Sequence, residues 1–167
     1  MTTPASVIAR EAARVLLFDG DGRVLLLRGH DPDNPERSWW FTPGGGLAGQ
    51  ESHREAARRE LLEETGYDVP EGALEGPVWE RTALFDFMRQ PYVQHEQFFV
   101  ARIDASAPPA PAAWTEAERQ SLDDQRWFSP AQVLAVDIEV FPSVLGRLLP
   151  TVTPWDGNLR QLGEERA

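Results

Sequence analysis

Residues 45–67 read GGLAGQESHREAARRELLEETGY, and the organisation of the whole chain can be worked outward from them. Ala56, Ala57, Leu61 and Leu62 recur at helical spacing among arginines and glutamates, which predicts a helix over 51–65. Gly66 stands where a helix C-cap is expected. Upstream, Gly44, Gly45 and Gly46 let the backbone turn sharply ahead of the helix. The helix carries Glu60, Glu63 and Glu64, at spacings that place side chains on one face. Carboxylates gathered on one face repel each other unless a cation lies among them. Magnesium is the natural cation, being hard, oxygen-binding and commonly shared with substrate phosphates. Arg59 sits beside these glutamates and is able to brace one by a bidentate hydrogen bond.

Before this stretch, residues 1–11 read as a loose lead-in. The apolar runs 14–18 and 23–28 flank Asp19-Gly-Asp-Gly22, which predicts a hairpin. The acidic turn is not a calcium loop, because Val24 and His30 occupy the positions that need glycine and glutamate. Residues 29–38 are expected to be a polar loop, broken by Pro32 and Pro35, that leads into Trp39-Trp40-Phe41. After the helix, strands are expected at about 77–87, 92–103 and 124–128. The Ala- and Pro-rich run 104–113 reads as a stiff surface connection. Ser129-Pro130 opens a short helix, a second covers 142–149, and the tail from Pro150 is polar and free to fray. Short strands mixed with two or three helices give an α/β layered sandwich.

The stretch also fills a known pattern, G-x5-E-x7-R-E-U-x-E-E-x-G-U, where U is a bulky apolar residue. Gly45, Glu51, Arg59, Glu60, Leu61, Glu63, Glu64, Gly66 and Tyr67 occupy its specified positions, and the aromatic Tyr67 is the loosest match. Trp40-Phe-Thr-Pro-Gly-Gly45 leads into it, and Trp127-Phe128-Ser129 precedes the late helix. The chain therefore resembles the Nudix hydrolase family. The resemblance implies an α/β/α sandwich around a mixed β-sheet. It implies a pyrophosphohydrolase that cleaves a nucleoside diphosphate linked to another moiety, with Mg2+ as cofactor and Mn2+ as its substitute. Glu60 and Glu64 would be the main metal ligands, and Glu63 a further ligand or the group that helps deprotonate water. Arg59 would orient the glutamates, and Glu51 would stabilise the loop–helix junction. The alternative is a Nudix-fold nucleotide-binding or regulatory module without turnover, but such modules usually lose box glutamates that are present here.

Many family members use a further catalytic glutamate outside the box. Glu96 is the first candidate, with Glu116 and Glu118 as alternatives; His95, beside Glu96, reads as a solvated strand-end residue. For substrate binding, Arg28, Arg37, Trp39, Gly44 and Gly45 are the candidates, since arginine suits phosphate and aromatic rings stack on bases. Arg81 and Arg89 are further arginines to consider, whereas Phe85, Phe87, Phe98 and Phe99 read as core. The 29–38 loop is expected to border the phosphate site and help select the attached group, through Arg37 or Trp39. Residues 81–85 carry neither the proline nor the tyrosine that marks some subfamilies, so the substrate stays a generic nucleotide derivative.

Composition narrows the field further. A chain of 167 residues favours one domain, with a core over about 11–150 and a polar tail over 151–167. The net charge of −11 opposes binding to a nucleic acid polymer or an anionic membrane, while a small shielded anion is allowed. There is no cysteine, which excludes disulfides and thiolate chemistry, and no lysine for a Schiff base or P-loop. Neither a Gly-x-Ser-x-Gly elbow nor a His-Glu-x-x-His motif is present. The N-terminus lacks the features of a signal peptide and no apolar run spans a bilayer, so a cytoplasmic location is expected. The sequence leaves a homodimer open.

Overall fold

A computed structural model describes residue 3, residues 5–104 and residues 113–167. Most of the 104–113 connection therefore lies outside the described residues. The strands are β1 (Ile8–Phe18), β2 (Val24–Asp31), β3 (Asn34–Phe41), β4 (Gly44–Gly46), β5 (Glu75–Phe87), β6 (Gln90–Arg102), β7 (Leu122–Phe128), β8 (Glu139–Phe141) and β9 (Arg160–Arg166). The helices are α1 (His53–Thr65), α2 (Glu116–Ser121), α3 (Pro130–Ala135) and α4 (Leu145–Leu148). None is long and apolar enough to cross a membrane.

The sheet is mixed, in the order β8-β3-β2-β1-β6-β5-β9, with β4 added to β1 and β7 to β2. Alternate residues of its central strands serve opposite faces. Val15, Leu17, Leu25 and Phe99 pack with Ala56, Ala57 and Leu61 of α1. Leu16, Phe18, Leu26, Phe98 and Val100 pack with Val133 of α3 and Leu145 of α4. Both faces are thus covered by helices, which gives the α/β/α sandwich and explains why these strands read as nearly continuous apolar runs.

The sheet also opens. β1 and β2 pair at Phe18 and Val24, where the Asp19 carboxylate accepts from the Asp21 and Arg23 amides to close the turn. Beyond that point β1 takes β4 as its antiparallel neighbour, while β2 takes β7. The two halves splay, and a cleft forms between them.

Four segments differ from the sequence expectation, the first being residues 8–11, which belong to β1 and not to a loose lead-in. Residues 29–38 are not a loop, because β2 and β3 continue into them and turn at Pro32-Asp33. The register shifts between His30 and Asp31, so that a bulge absorbs Pro35, Glu36 and Arg37. The tail does not fray after Pro150, since β9 pairs parallel to β5 from Arg160 to Arg166. The late helix is shorter than 142–149, with α4 followed by a 3-10 turn at Leu149–Thr151.

Candidate active site

Helix α1 begins with a capping box. The Ser52 hydroxyl accepts from the Glu55 amide at 3.1 Å, and the Glu55 carboxylate accepts from the Ser52 amide. It ends at Gly66, whose φ of 82° suits a residue without Cβ and whose amide donates to the Leu62 carbonyl. Between these caps, Arg59 joins the helix to the preceding loop. It donates to Glu51 through Nε at 3.1 Å and Nη2 at 2.5 Å, and to the Gly46 carbonyl at 3.1 Å. Its Nη1 reaches Glu60 at 3.0 Å and Glu63 at 3.2 Å. Glu51 in turn accepts from the Ala48 amide at 2.7 Å, and its bond to Arg59 holds its pKa below the usual carboxylate range.

The glycine strand lies against this helix. Gly44 has a φ of 147°, and a Cβ there would stand 2.1 Å from the Ala13 carbonyl oxygen. Its amide donates to Glu64 at 2.7 Å. A Cβ on Gly45 would stand 2.7 Å from a Glu60 carboxylate oxygen. Gly44 needs glycine for its positive φ and its close approach to the β1 backbone, whereas the space beside Gly45 is taken by the Glu60 carboxylate.

Glu60, Glu64 and Glu118 each offer an oxygen to one point, with these atoms within 4.8 Å of one another. Burial pushes the pKa of Glu64 well up, with Glu60 adding to the effect. Burial also raises Glu60 against the pull of Arg59. The donor set is all oxygen and anionic, which fits a hard divalent cation. Glu63 is not part of this group; its carboxylate accepts from the same Arg59 Nη1 as Glu60 does. Glu118 takes the remaining place from α2, where it also caps the Thr115 amide at 3.0 Å. The signal for it in the sequence is the capping box Thr115-x-x-Glu118 at the start of a short helix.

Glu96 sits elsewhere in the cleft, on β6, with only 1% of its side chain exposed. Arg14 Nε donates to one carboxylate oxygen and Arg81 Nη1 to the other. Burial works to raise the Glu96 pKa, and the two arginines outweigh it and hold the group low. Arg14 also donates to the carbonyls of Thr42 at 3.2 Å and Gly44 at 3.1 Å, so this clamp reaches the loop that receives Glu64. Arg81 Nη2 donates to Glu165 of β9 at 2.7 Å. His95, next to Glu96 on the opposite face of β6, pairs with Glu11 at 3.0 Å.

A cavity of about 320 Å³ joins these parts. Of the substrate-binding candidates, Arg37, Trp39, Gly44 and Gly45 line it. Arg28 does not: it lies on β2, reaching Ser38 at 3.4 Å. Arg89 is at the β5–β6 turn and is 88% exposed. Phe98 and Phe99 are core as expected, whereas Phe85 and Phe87 are cavity walls. Arg10 and Arg14 also line the cavity and were not legible in the sequence as site residues.

Residues 9–152 match the NUDIX domain family. The chain belongs to the Nudix family. An RNA pyrophosphohydrolase of Dinoroseobacter shibae is 40% identical over 82 residues, covering 46% of this chain and 49% of that protein. An uncharacterised Nudix hydrolase of Bacillus subtilis, YvcI, is 41% identical over 56 residues, 34% of this chain and 32% of its own length. The matches thus span about half or less of these relatives. In fold, the Nudix chain is similar to a MutT protein from Methanosarcina mazei. The TM-score is 0.61 at 19% identity, over 90% of this chain and 99% of the other.

Proposed function

We propose that this Nudix chain is a magnesium-dependent pyrophosphohydrolase, acting on a nucleoside diphosphate linked to another moiety. The observation that carries the reading is the meeting of Glu60, Glu64 and Glu118 at the edge of an arginine-lined cleft. Glu60 and Glu64 would hold the cation, with Glu118 completing the set. A bound divalent cation would neutralise phosphate charge and lower the pKa of an attacking water. Arg59 positions Glu60 and ties the helix to the Gly46 carbonyl. Gly44 fixes one oxygen of Glu64 through its amide. Trp39 and Phe41 offer aromatic faces to a base, and Arg37 lies 5.5 Å over the Trp39 ring. Glu96 serves as a positioning residue, since both its oxygens are engaged by arginine.

The test is phosphate release from a panel of nucleoside triphosphates, nucleoside diphosphate sugars, dinucleoside polyphosphates and a 5′-triphosphorylated RNA, each with and without magnesium. The RNA is included because the D. shibae relative is named an RNA pyrophosphohydrolase, although a charge of −11 disfavours a long polyanion. Turnover of some member only with metal, abolished in Glu64→Gln, is the expected result. Binding of nucleotides without turnover of any would favour the regulatory module instead.

A further inference from the structure

Arg10, Arg14, Arg37 and Arg81 line the cleft, and three of them are held by carboxylates. Arg14 and Arg81 share Glu96, Arg81 also holds Glu165, and Arg37 holds Glu139 at 2.9 Å. Arg10 differs. Its Nε donates to the Gln94 side-chain oxygen, a neutral acceptor, and it forms no ion pair among the described residues. Arg10 is solvent-exposed; partial desolvation and the nearby Arg14 push its pKa down, against the pull of Tyr92, Glu60 and Glu96.

The sheet sets this arrangement. β1 and β6 run parallel with Arg10 opposite Gln94 and Ile8 opposite Tyr92, and β5 brings Phe85 opposite Tyr92. The Phe85 and Tyr92 rings stack at 5.2 Å and 15°. The Arg10 guanidinium lies 4.9 Å from the Tyr92 centroid. Gln94 is fully buried, and its Nε2 has no hydrogen-bond partner. A buried amide donor left unpaired weakens the fold. The position is therefore better explained by the grip of Gln94 on Arg10 than by stability. With Nε engaged, the Nη donors of Arg10 remain for a ligand.

Arg10 also stands close to the acid group. A Cβ on Gly46 would lie 3.6 Å from Arg10 Nη1, and one on Gly45 would lie 2.7 Å from Glu60. Arg10 and Glu64 both line the cavity, and Glu60 is close enough for its charge to act on Arg10. A phosphate chain that begins at the carboxylates thus has Arg10 within the same cavity. Arg14 and Arg81 are already paired with Glu96 and Glu165.

We propose that Arg10 binds an anionic group of the substrate beyond the phosphates that meet the carboxylates. The cleft then favours tri- or polyphosphate substrates over a diphosphate joined to a neutral sugar. This rests on the pyrophosphohydrolase reading above. A further phosphate gains charge-assisted hydrogen bonds from the uncompensated guanidinium, whereas a neutral sugar leaves it unpaired.

The test uses Arg10→Gln and Arg10→Lys, with thermal melts to confirm folding. Binding of inorganic tripolyphosphate is measured by calorimetry, with and without magnesium. Values of kcat/KM are measured for a nucleoside triphosphate and a nucleoside diphosphate sugar. Arg10→Gln should weaken tripolyphosphate and lower triphosphate kcat/KM by ~10-fold or more, the scale of lost hydrogen bonds to a charged group. The sugar substrate should change by about 2-fold, the scale of an ordinary surface substitution. Arg10→Lys should recover part of the loss. Unchanged tripolyphosphate binding in Arg10→Gln, or equal losses on both substrates, overturns the proposal. If the wild type turns over nothing, the pyrophosphohydrolase reading fails, and the tripolyphosphate measurement still decides whether Arg10 is an anion site.

Discussion

On the helix side of the cleft, Glu60, Glu64 and Glu118 bring oxygens within 4.8 Å of one another, and Arg59 braces Glu60 from the edge. On the sheet side, the buried Glu96 lies between Arg14 and Arg81. Each wall gathers acids and arginines, but in opposite proportion. The helix wall has surplus negative charge, which favours a cation in the proposed reading. The Glu96 clamp, with Glu165, is internally compensated, and Arg10 is the cleft arginine without an ion pair among the described residues. Total charge does not separate a binding wall from a structural one; whether each charge already has its partner does.

The sharpest way to break this contrast is to remove the partner. Glu96→Leu would leave two arginines facing each other, of which Arg14 is 16% exposed and Arg81 6%. Losing one member of a buried ion pair costs about 3–5 kcal/mol. Chemical denaturation should show a loss on this scale. A variant as stable as wild type would mean that the clamp is not structural, and would return Glu96 to the list of catalytic candidates.

On the helix wall, Glu64→Gln should act on rate more than on folding. It keeps shape while removing a charge from the acid group. We expect a fall in metal-dependent kcat of ~100-fold, the scale of a lost charge-stabilising group. Glu118→Gln should also lower the rate, whereas Glu63→Gln should matter less because its carboxylate lies outside the group of three oxygens. Losses at Glu63 that exceed those at Glu118 would reverse the assignment of these two residues.

The two walls also differ in how much of them the sequence disclosed. The helix wall comes largely from one contiguous stretch, so the helix period, Gly66 and the glutamates beside Arg59 were readable in order. Only Glu118 comes from elsewhere. The sheet wall is assembled from β1, β5, β6 and β9, and Arg10 meets Gln94 through a parallel pairing across 84 residues. No local pattern announces such a contact. The missed strands share a physical cause. β9 is mostly polar; it packs Leu162 against the core and is otherwise held by backbone pairing with β5 and by the Arg81–Glu165 bond. The 29–38 hairpin was hidden because its prolines and charges are those of a loop, and a bulge accommodates them.

Acid should separate the walls more gently. The Glu96 pKa is held below its ordinary 4.5 in the folded chain. A depressed carboxylate contributes stability that is present above the unfolded value and lost as pH falls through the folded value. Melting temperature should therefore bend downward below pH 4.5, and the bend should be weaker in Glu96→Gln. Parallel curves for the two proteins would mean that another carboxylate governs acid stability.

The smallest expected effect concerns Arg37, which is compensated by Glu139 yet also lines the cleft. That pair is exposed, at 38% and 53%, so it holds Arg37 only weakly. Exposed pairs of this kind contribute about 0.2–1 kcal/mol. If compensation is what keeps a cleft arginine from binding an anion, Glu139→Gln should release Arg37 as a second open cation. Tripolyphosphate affinity should then rise by up to about 5-fold, the same energy expressed as a ratio. The effect should persist in an Arg10→Gln background, because the two guanidiniums lie on different strands, β1 and β3. A rise that vanishes when Arg10 is replaced would mean that both arginines grip one phosphate. No rise in either background would show that the Arg37–Glu139 pair leaves anion affinity untouched, and that Arg10 owes any role it has to its place beside the Gly45–Gly46 strand.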